Sequence, residues 1–404
     1  MKKTLAVLSI FFLIILTGCS SGEKVTVIEG PGQANSSLMV GFNEFCSGKV
    51  EGFSWDNLIV SQNTGKDIEI FLVKTASKET TKLLTAPFRN DYSFKISKNG
   101  KMFLYENYLV DIENKNSRLL PGINADKPVN IKGTPDYSFD GEGEIMLTNP
   151  NYYIKKYYKK INKGALGTLL EPAKVTYMKT GDIKESSMIP AFNNIEVPEI
   201  DYIKNGELMP GRLKYIFIGG VDGEDNTPLY VFDLFQREFR LIDSNVKSYM
   251  VSPDSESVAY IRKGTGEKPE NVLVTSDLDG KRLKELNSYE DISGMTWSSD
   301  GRWIAYSGGE RNKRDIYIVK SDGTGLEQLT QGMNPSGVIA WSKKGGEVAF
   351  ASETNGLDGK QTAYIIKLDL KTIETGESPD YDSTRNEMAN KLREIIRMET
   401  NANK

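Results

Sequence analysis

The chain has 404 residues, a formal net charge of −4, 38% hydrophobic residues and no histidine. This length is ample for a large buried core, and the acidic balance argues against nucleic acid as a partner. The lack of histidine excludes Ser-His-Asp and Cys-His nucleophilic catalysis, as well as metal sites built on imidazole. The sequence contains neither a phosphate-binding loop nor a Gly-x-Gly-x-x-Gly turn.

Residues 1–18 have the pattern of a signal peptide. Lys2 and Lys3 precede an apolar run over residues 5–16, which is shorter than the roughly 20 residues that a transmembrane helix needs. Leu16-Thr-Gly-Cys19 resembles the bacterial lipobox, in which the cysteine becomes the lipidated first residue of the mature protein. The resemblance implies a protein held to the lipid bilayer by acylated Cys19. An ordinary secretory signal is the alternative.

The cysteine count and the next segment agree with such an anchor. Lipidation would use Cys19 and leave Cys46 as the other cysteine, so no internal disulfide is expected. We expect Cys46 to be a small buried residue. Residues 19–37, rich in glycine and serine, predict a flexible tether. The favoured location is extracytoplasmic, on the outer leaflet of the cell membrane, or on the outer membrane of a host with two membranes.

A unit of four short strands recurs through residues 38–375, most clearly over residues 292–330. In that unit β-branched and aromatic residues fill the strands, and glycine-containing turns separate them. Ser252, Ser298 and Ser342 occupy equivalent turns spaced by 46 and 44 residues, close to the ~40–45 residues per blade of a propeller. The sequence therefore predicts an all-β fold, with a single β-propeller of four-stranded blades.

The number of repeats favours seven blades, with six as the alternative. Seven hairpins of one kind are found, although the first three units are more degenerate and the third contains an insertion. The last unit has a weak fourth strand after Leu370. We therefore expect an N-terminal segment, residues 38–42, to pair there and close the ring, because closure removes exposed sheet edges.

One stretch of the repeat resembles a known family. Trp297-Ser-Ser-Asp-Gly-Arg-Trp-Ile-Ala-Tyr306, with the hairpin at residues 316–330, resembles the WD-like repeat of TolB-type β-propellers. The resemblance covers about residues 248–370 and implies a propeller with a protein-binding role in the cell envelope. The same repeat also occurs beside peptidase domains, so the fold alone does not define a function.

The insertion in the third unit, residues 151–163, is rich in tyrosine and lysine. On a short helix, these spacings would form an aromatic face with a basic rim, suited to an anionic polymer or to lipid headgroups. A solvated loop whose rings pack on the propeller edge is the interpretation that we favour. The candidate binding residues are Tyr152, Tyr153, Lys155, Lys156, Tyr157, Tyr158, Lys159 and Lys160.

Residues 376–404 predict a polar linker followed by a C-terminal amphipathic helix over residues 383–398. Thr384 and Glu387 resemble a capping box at its start. We expect its apolar stripe to pack against the rim of the propeller, with a partner-binding helix as the alternative. The stripe consists of Met388, Leu392, Ile395 and Ile396.

The remaining side chains favour recognition without catalysis. Propeller-linked serine peptidases and metal-dependent uronate lyases rely on histidine, so its absence argues against both. Asp254, Asp300 and Asp322 are expected to hydrogen-bond their own turns. Oxygen ligands at residues 222–226 and 277–280 leave calcium at blade turns as the alternative to no cofactor, although neither segment has the EF-hand spacing.

We therefore expect a membrane-anchored binding or scaffold protein, whose propeller docks a protein or an anionic envelope polymer without catalysis. The alternative is a carboxylate-based glycan-active enzyme or a carbohydrate-binding propeller. Two carboxyl groups about 5–10 Å apart in a cleft, one with a raised pKa, would favour the enzyme.

Overall fold

The protein is described by a computed structural model. In the described part of the chain there are 28 β-strands and no helix, which confirms the all-β prediction. The strands form seven four-stranded antiparallel sheets. The described residues are 34–370 apart from 35, 91, 98, 120–135, 140–144, 149–173, 180–181, 188–201, 210–213, 222, 234–237, 265–269 and 354–359.

The chain begins with β1 (Met39–Ser47), which belongs to the last sheet. Blade 1 contains β2 (Lys49–Ser54), β3 (Asn57–Asn63), β4 (Asp67–Lys74) and β5 (Thr80–Pro87). Blade 2 contains β6 (Phe94–Ile96), β7 (Met102–Tyr105), β8 (Tyr108–Asp111) and β9 (Asn116–Leu119). Blade 3 contains β10 (Asp136–Phe139), β11 (Ile145–Thr148), β12 (Lys174–Lys179) and β13 (Asp182–Ser187). Blade 4 contains β14 (Tyr202–Leu208), β15 (Lys214–Gly220), β16 (Leu229–Asp233) and β17 (Glu238–Asp243).

Blade 5 contains β18 (Val246–Val251), β19 (Ser257–Arg262), β20 (Asn271–Asp277) and β21 (Lys284–Tyr289). Blade 6 contains β22 (Asp291–Trp297), β23 (Trp303–Glu310), β24 (Lys313–Lys320) and β25 (Glu327–Gln328). Blade 7 contains β26 (Pro335–Trp341), β27 (Glu347–Glu353) and β28 (Gln361–Leu368), and β1 is its fourth strand. The fold is a β-propeller of seven blades, as the repeats predict.

The blades run outward from a central channel. The first strands of neighbouring blades contact one another, since β26 touches both β2 and β22. Because successive strands alternate in direction, their turns fall on two faces. The upper face is the one where each first strand begins, and it also carries the turns between second and third strands. The lower face carries the turns from first to second strand and from third to fourth strand.

One hydrogen-bonded turn recurs between first and second strands, on the lower face. The backbone N–H of each turn serine donates to the carbonyl five residues ahead at 2.8–2.9 Å. The serine hydroxyl accepts the N–H of that same residue. The structure thus confirms the equivalence predicted for three serines and adds a fourth; the four are Ser97, Ser252, Ser298 and Ser342.

Neighbouring blades are joined by a buried tyrosine eight residues after the turn serine. Tyr105, Tyr260 and Tyr306 are 0–1% exposed. Each hydroxyl bonds the fourth strand of the preceding blade, and those partners are Pro87 O, Asp243 Oδ2 and Asn287 Nδ2, at 2.8–2.9 Å. A buried hydroxyl is costly without a partner, so these bonds select the relative position of two blades.

The N-terminal strand β1 closes the ring. It pairs antiparallel with β28, from Met39 opposite Leu368 to Ser47 opposite Thr362. Phe42 stacks on Tyr364, with ring centroids 5.6 Å apart. The segment predicted at residues 38–42 therefore closes the ring, and the strand that contains it continues to Ser47. Closure in this way covers the outer edge of β28 and the apolar face beneath it.

The chain before β1 is held against blade 6. The backbone N–H of Ala34 donates to Leu329 O at 3.3 Å. The Ser36 and Ser37 hydroxyls both donate to the Glu327 carboxylate. The end of the predicted tether is thus fixed at the lower face, where β1 starts.

Several predicted segments lie outside the described residues. They are the signal peptide (1–18), Cys19, the tether up to residue 33, and the linker and helix at residues 376–404. The part of the chain that is described holds no helix long and apolar enough to cross a membrane. Cys46 is free and packs, partly buried, between blades 1 and 7. Burial raises the pKa of its thiol to about 11 against a lowering effect of the Lys78 ammonium.

The pairing of β1 with β28 predicts an effect on the free energy of unfolding. Phe42→Ala is expected to lower the free energy of unfolding by about 2 kcal/mol, because it removes the stacked ring that holds β1 on β28. The matched control is Val40→Ala on the same strand, where the side chain is 65% exposed. Denaturant titration of both variants is the measurement. Equal effects of the two substitutions would contradict a closing role for Phe42.

Candidate functional site at the upper channel mouth

A buried carboxylate lies beside the channel in blade 1. The Glu51 side chain on β2 is only 1% exposed. Its Oε1 accepts hydrogen bonds from the Ser61 hydroxyl, at 2.7 Å, and from the Tyr92 hydroxyl. Lys49 donates to the Tyr92 oxygen, and its Nζ lies 3.4 Å from Glu51 Oε1. Lys49, Tyr92 and Glu51 therefore form a continuous relay from a half-buried ammonium to a buried carboxylate.

A β-bulge directs the Glu51 side chain into the protein interior. In the β2–β3 pairing Val50 faces Val60 and Gly52 faces Ile59, so Glu51 is the extra, unpaired residue. Such a residue leaves the in-out alternation of its strand, which is why Val50 and Glu51 are both buried. Gly52 has φ +153°, and a Cβ there would lie 2.4 Å from Ile96 Cδ1. The positive φ therefore favours glycine at this position, and the end of the Ile96 side chain would have to shift to admit a Cβ.

Tyr92 comes from the connection between blades 1 and 2 on the upper face. Its ring packs on Tyr105 with centroids 5.2 Å apart, and Lys49 Nζ lies 4.3 Å from the centre of the ring. Burial, and then the negative charge of Glu51, raise the pKa of Tyr92 well above its usual range. The phenol therefore stays protonated and donates to Glu51.

A second ionised cluster lies at the upper ends of blades 5 and 6. Asp291, the first residue of β22, accepts a hydrogen bond from Lys247 Nζ at 2.9 Å and one from Arg314 Nη1 at 3.2 Å. Arg314 also donates to Ser293 Oγ, at 2.5 Å. Burial alone would raise the pKa of Asp291, but Lys247 and then Arg314 outweigh it and hold that pKa below its usual range.

The two clusters meet β26 from opposite sides. Arg314 Nη2 donates to Pro335 O at 3.0 Å, at the start of β26. Lys49 passes over Gly337, where a Cβ would sit 3.3 Å from Lys49 Cε. Two residues of strand span about 7 Å, so both cations lie near the start of β26. Gly337 has φ +74°, which suits glycine, and any side chain there would displace Lys49.

The combined charge of these clusters suits an acidic ligand. Three cations, Lys49, Lys247 and Arg314, face two carboxylates, Glu51 and Asp291, which leaves a local formal charge of +1 on a chain of net charge −4. A partly desolvated mouth strengthens the attraction of an anion. The relay also gives a route for a proton between the mouth and Glu51.

The sequence did not identify these residues. The predicted Tyr152–Lys160 patch and Cys19 lie outside the described residues, so both stay predictions. Tyr92 has no motif around it. The one available signal was Glu51, an acidic residue inside the otherwise strand-like run at residues 50–53.

The turn aspartates behave as expected. Asp254 and Asp300 accept hydrogen bonds from their turn serines, and Asp322 accepts from Thr324. Asp277 Oδ1 accepts the backbone N–H groups of Asp279 and Lys281. Among the described residues no group of three or more His, Cys, Asp or Glu side chains is placed to hold a metal ion. Calcium at residues 222–226 and 277–280 stays a prediction, and Asp222 of the first segment lies outside the described residues.

The sequence comparison finds one short likeness. No protein family matches the chain by its family profile. The Tol-Pal system protein TolB of Syntrophus aciditrophicus (strain SB) is 31% identical over 77 residues, which is 19% of this chain and 17% of that protein. The fold is a β-propeller, and the chain resembles TolB over this short stretch.

The structural comparison finds propellers over most of the chain. An oligogalacturonate lyase in complex with manganese has a TM-score of 0.53 at 11% identity, covering 84% of this chain and 97% of its own. The oligogalacturonate lyase of Vibrio parahaemolyticus has a TM-score of 0.52 at 12% identity, covering 82% and 97%. TolB from Acinetobacter baumannii has a TM-score of 0.40 at 13% identity, covering 72% and 65%. At these identities the likeness shows the fold alone.

These findings correct the functional expectation. The prediction of a docking or scaffold protein without catalysis is contradicted, because oligogalacturonate lyases are among the solved structures that match most of this chain, so the propeller fold gives no ground to exclude catalysis. The prediction was based on a TolB-type repeat. That repeat determines how the blades pack, but it does not determine which side chains lie at the channel mouth. Matched propellers include both enzymes and TolB proteins. The missing histidine excludes a mechanism that uses it, and does not exclude this fold.

The raised pKa of Tyr92 predicts a titration behaviour. The folded state keeps this proton above pH ~10, where an unfolded chain loses it, so the associated stability is complete below that pH and is lost as the pH rises. The difference in tyrosinate absorbance between wild type and Tyr92→Phe should therefore stay flat until the protein unfolds. Glu51→Gln should lower the pH at which Tyr92 ionises, because it removes the negative charge of Glu51. A Tyr92 signal near pH 10 in the folded wild type would contradict the buried relay.

Proposed function

We propose that the protein is an enzyme that acts on an acidic oligosaccharide at its upper channel mouth, by general acid–base chemistry through Lys49, Tyr92 and Glu51. The observation that carries this proposal is the buried relay, which connects an ammonium at the mouth to a carboxylate with 1% exposure. A carboxylate held in this way serves proton transfer better than it serves stability, since burying an ion pair is costly.

The charge of the mouth supports an acidic sugar as the substrate. The lyases that share the fold act on oligogalacturonate, whose sugar units each carry a carboxylate. At the mouth, Arg314 and Lys247 outnumber their shared partner Asp291, so this cluster has positive charge to offer a substrate carboxylate. Among the described residues no group of three or more His, Cys, Asp or Glu side chains could hold the manganese of the first lyase, so the proposed steps use no metal.

The reaction is a β-elimination at a 4-linked uronate. The C5–H bond breaks as that proton moves to the Tyr92 oxygen, while the Tyr92 proton moves to Glu51. The C4–O bond breaks, a C4–C5 double bond forms, and the Lys49 ammonium donates a proton to the leaving oxygen. Glu51 then returns its proton through Tyr92 to Lys49, which restores the starting state. The charge on Arg314 and Lys247 stabilises the negative charge that develops at the sugar carboxylate.

The direct test is activity on uronate oligosaccharides, followed by the ultraviolet absorbance of the unsaturated product. Tyr92→Phe keeps the ring and removes the hydroxyl, and Lys49→Gln removes the ammonium; each is expected to lower kcat roughly 100-fold or more. Lys82→Gln is the matched control, because Lys82 is a lysine of the same blade, paired with Glu69 on the outer strands. Wild-type inactivity on a panel of uronates, or equal rates for all three variants, would refute the proposal.

We also propose that an acylated Cys19 attaches the protein to a membrane, which the lipobox-like Leu16-Thr-Gly-Cys19 supports. The chain is fixed at the lower face just before β1, so a lipid at Cys19 would attach from that side. The upper mouth would then face away from the bilayer and stay open to soluble saccharides. Two or three acyl chains provide stable anchoring.

Metabolic labelling with a palmitate analogue tests the anchor. The wild type is expected to incorporate the label, and Cys19→Ala is expected to lose it because the acceptor sulfur is gone. Cys46→Ala is the matched control and should keep full labelling, since Cys46 packs between blades. Label that persists in Cys19→Ala would exclude lipidation at this residue.

A further inference from the structure

Exposed apolar side chains collect on the lower face of four successive blades. In the described part of the chain, four of the eight exposed large apolar side chains lie in lower-face turns or at the lower end of a strand, and they are 40–65% exposed. They are Leu283 of blade 5, Leu326 of blade 6, Val40 of blade 7 and Trp55 of blade 1. Single exposed apolar residues are common on protein surfaces. Four that share one face of consecutive blades indicate an apolar contact on that side.

Trp55 is the largest of these side chains. It lies in the turn between β2 and β3, at the lower mouth of the channel, and is 52% exposed, whereas the other three tryptophans are 6–7% exposed. Its φ is +55°, in the left-handed region that bulky residues rarely adopt. The turns of both neighbouring blades hold it, because the Lys343 N–H donates to Trp55 O at 3.2 Å and the Ser54 hydroxyl donates to Gly100 O at 2.7 Å. The structure therefore presents an indole outward, and indoles favour the boundary between water and lipid.

In three ion pairs next to Trp55 and Leu283, the cation lies outside its acidic partner. The lysine or arginine side chain is 78–88% exposed, and the carboxylate side chain is 19–38% exposed. The pairs are Lys281–Asp279, Arg282–Asp277 and Lys344–Asp56. A surface that approaches from below therefore meets ammonium and guanidinium groups before it meets the carboxylates. Phosphate groups are anions that both kinds of cation bind well.

The distribution of these groups around the ring favours a flat partner. Blades 5, 6, 7 and 1 make up more than half of the ring, so a compact ligand would contact few of the four apolar side chains. A bilayer surface is planar at this scale and meets all of them together. Its headgroup region offers phosphates for the cations and an apolar boundary for Trp55 and Leu326. The chain before β1 reaches the same side, where Ser36 and Ser37 bond Glu327, so the proposed N-terminal anchor would lead to this surface.

We propose that the lower face of blades 5, 6, 7 and 1 docks on an anionic lipid bilayer. Trp55, Leu283, Leu326 and Val40 enter the headgroup boundary, and the lysines and arginine beside them bind the lipid phosphates. This inference rests on the proposed membrane attachment, for which it names the surface that meets the bilayer, and it is independent of the proposed enzymatic activity. The upper mouth then faces away from the membrane.

Vesicle binding tests this face without the lipid anchor. The chain from residue 20 to residue 404 lacks the N-terminal apolar run and Cys19 but keeps every described residue. It is mixed with vesicles of equal parts phosphatidylglycerol and phosphatidylcholine whose acyl chains carry bromine, which quenches tryptophan fluorescence. Quenching is expected because Trp55 enters the headgroup boundary, and Trp55→Phe should remove it because the other tryptophans are buried. Vesicles of phosphatidylcholine alone should bind more weakly, since they carry no net negative charge.

Substitutions on the two faces locate the contact. Arg282→Gln removes an exposed cation of the lower face and should weaken binding to the anionic vesicles about fivefold. Leu283→Asp should weaken it at least as much, because it places a charge in the apolar boundary. Lys313→Gln and Leu119→Asp are the matched controls on the upper face, where the two side chains are 79% and 57% exposed, and both should bind as the wild type.

The outcomes separate this face from the anchor. A lack of binding to the anionic vesicles overturns the proposal. Equal effects of the substitutions on the two faces also overturn it, because the contact would then lie elsewhere in the chain. Palmitate labelling reports acylation independently, so vesicle binding without labelling refutes the anchor at Cys19 and leaves the docking face standing.

Discussion

A four-stranded antiparallel sheet of this size cannot bury both faces by itself, and the whole structure follows from that constraint. Each blade finds its partners in its two neighbours, and the ring removes the need for end caps. The first and last parts of the chain must then meet in one sheet, which β1 achieves by pairing with β28. The buried tyrosines select the relative position of neighbouring blades, because each hydroxyl bonds the fourth strand of the preceding blade.

The upper mouth contains a buried carboxylate that packing between blades does not explain. Burying an ionised carboxylate is unfavourable unless its charge and its hydrogen-bonding capacity are satisfied. Glu51 meets that condition through Lys49, Tyr92 and Ser61, and the bulge at Glu51 directs the side chain inward. An apolar residue at this position would serve the ring as well. Packing between blades therefore does not by itself account for this cluster, which the proposed proton transfer would use.

The two faces of the ring have different characters. The upper face carries the ionised groups that converge on β26 from blades 1 and 6. The lower face carries both ends of the described chain, together with the turn serines and Trp55. A functional expectation drawn from the repeat alone could not separate them, because the repeat specifies the strands and turns that every blade shares. The ionised clusters come from differences between blades, which the shared repeat does not contain.

The sequence by itself determined the fold class, the blade repeat and the closing segment at residues 38–42, because strand alternation and turn chemistry are local properties written in consecutive residues. The equivalence of Ser252, Ser298 and Ser342 came from the same local signal. Only the tertiary structure decided the candidate site. Glu51 and Tyr92 are 41 residues apart in the chain. Glu51 lies on the first strand of blade 1 and Tyr92 in the connection to blade 2, and the packing of these consecutive blades brings them together. Arg314 and Lys49 are farther apart still, and β26 is what brings both to one mouth.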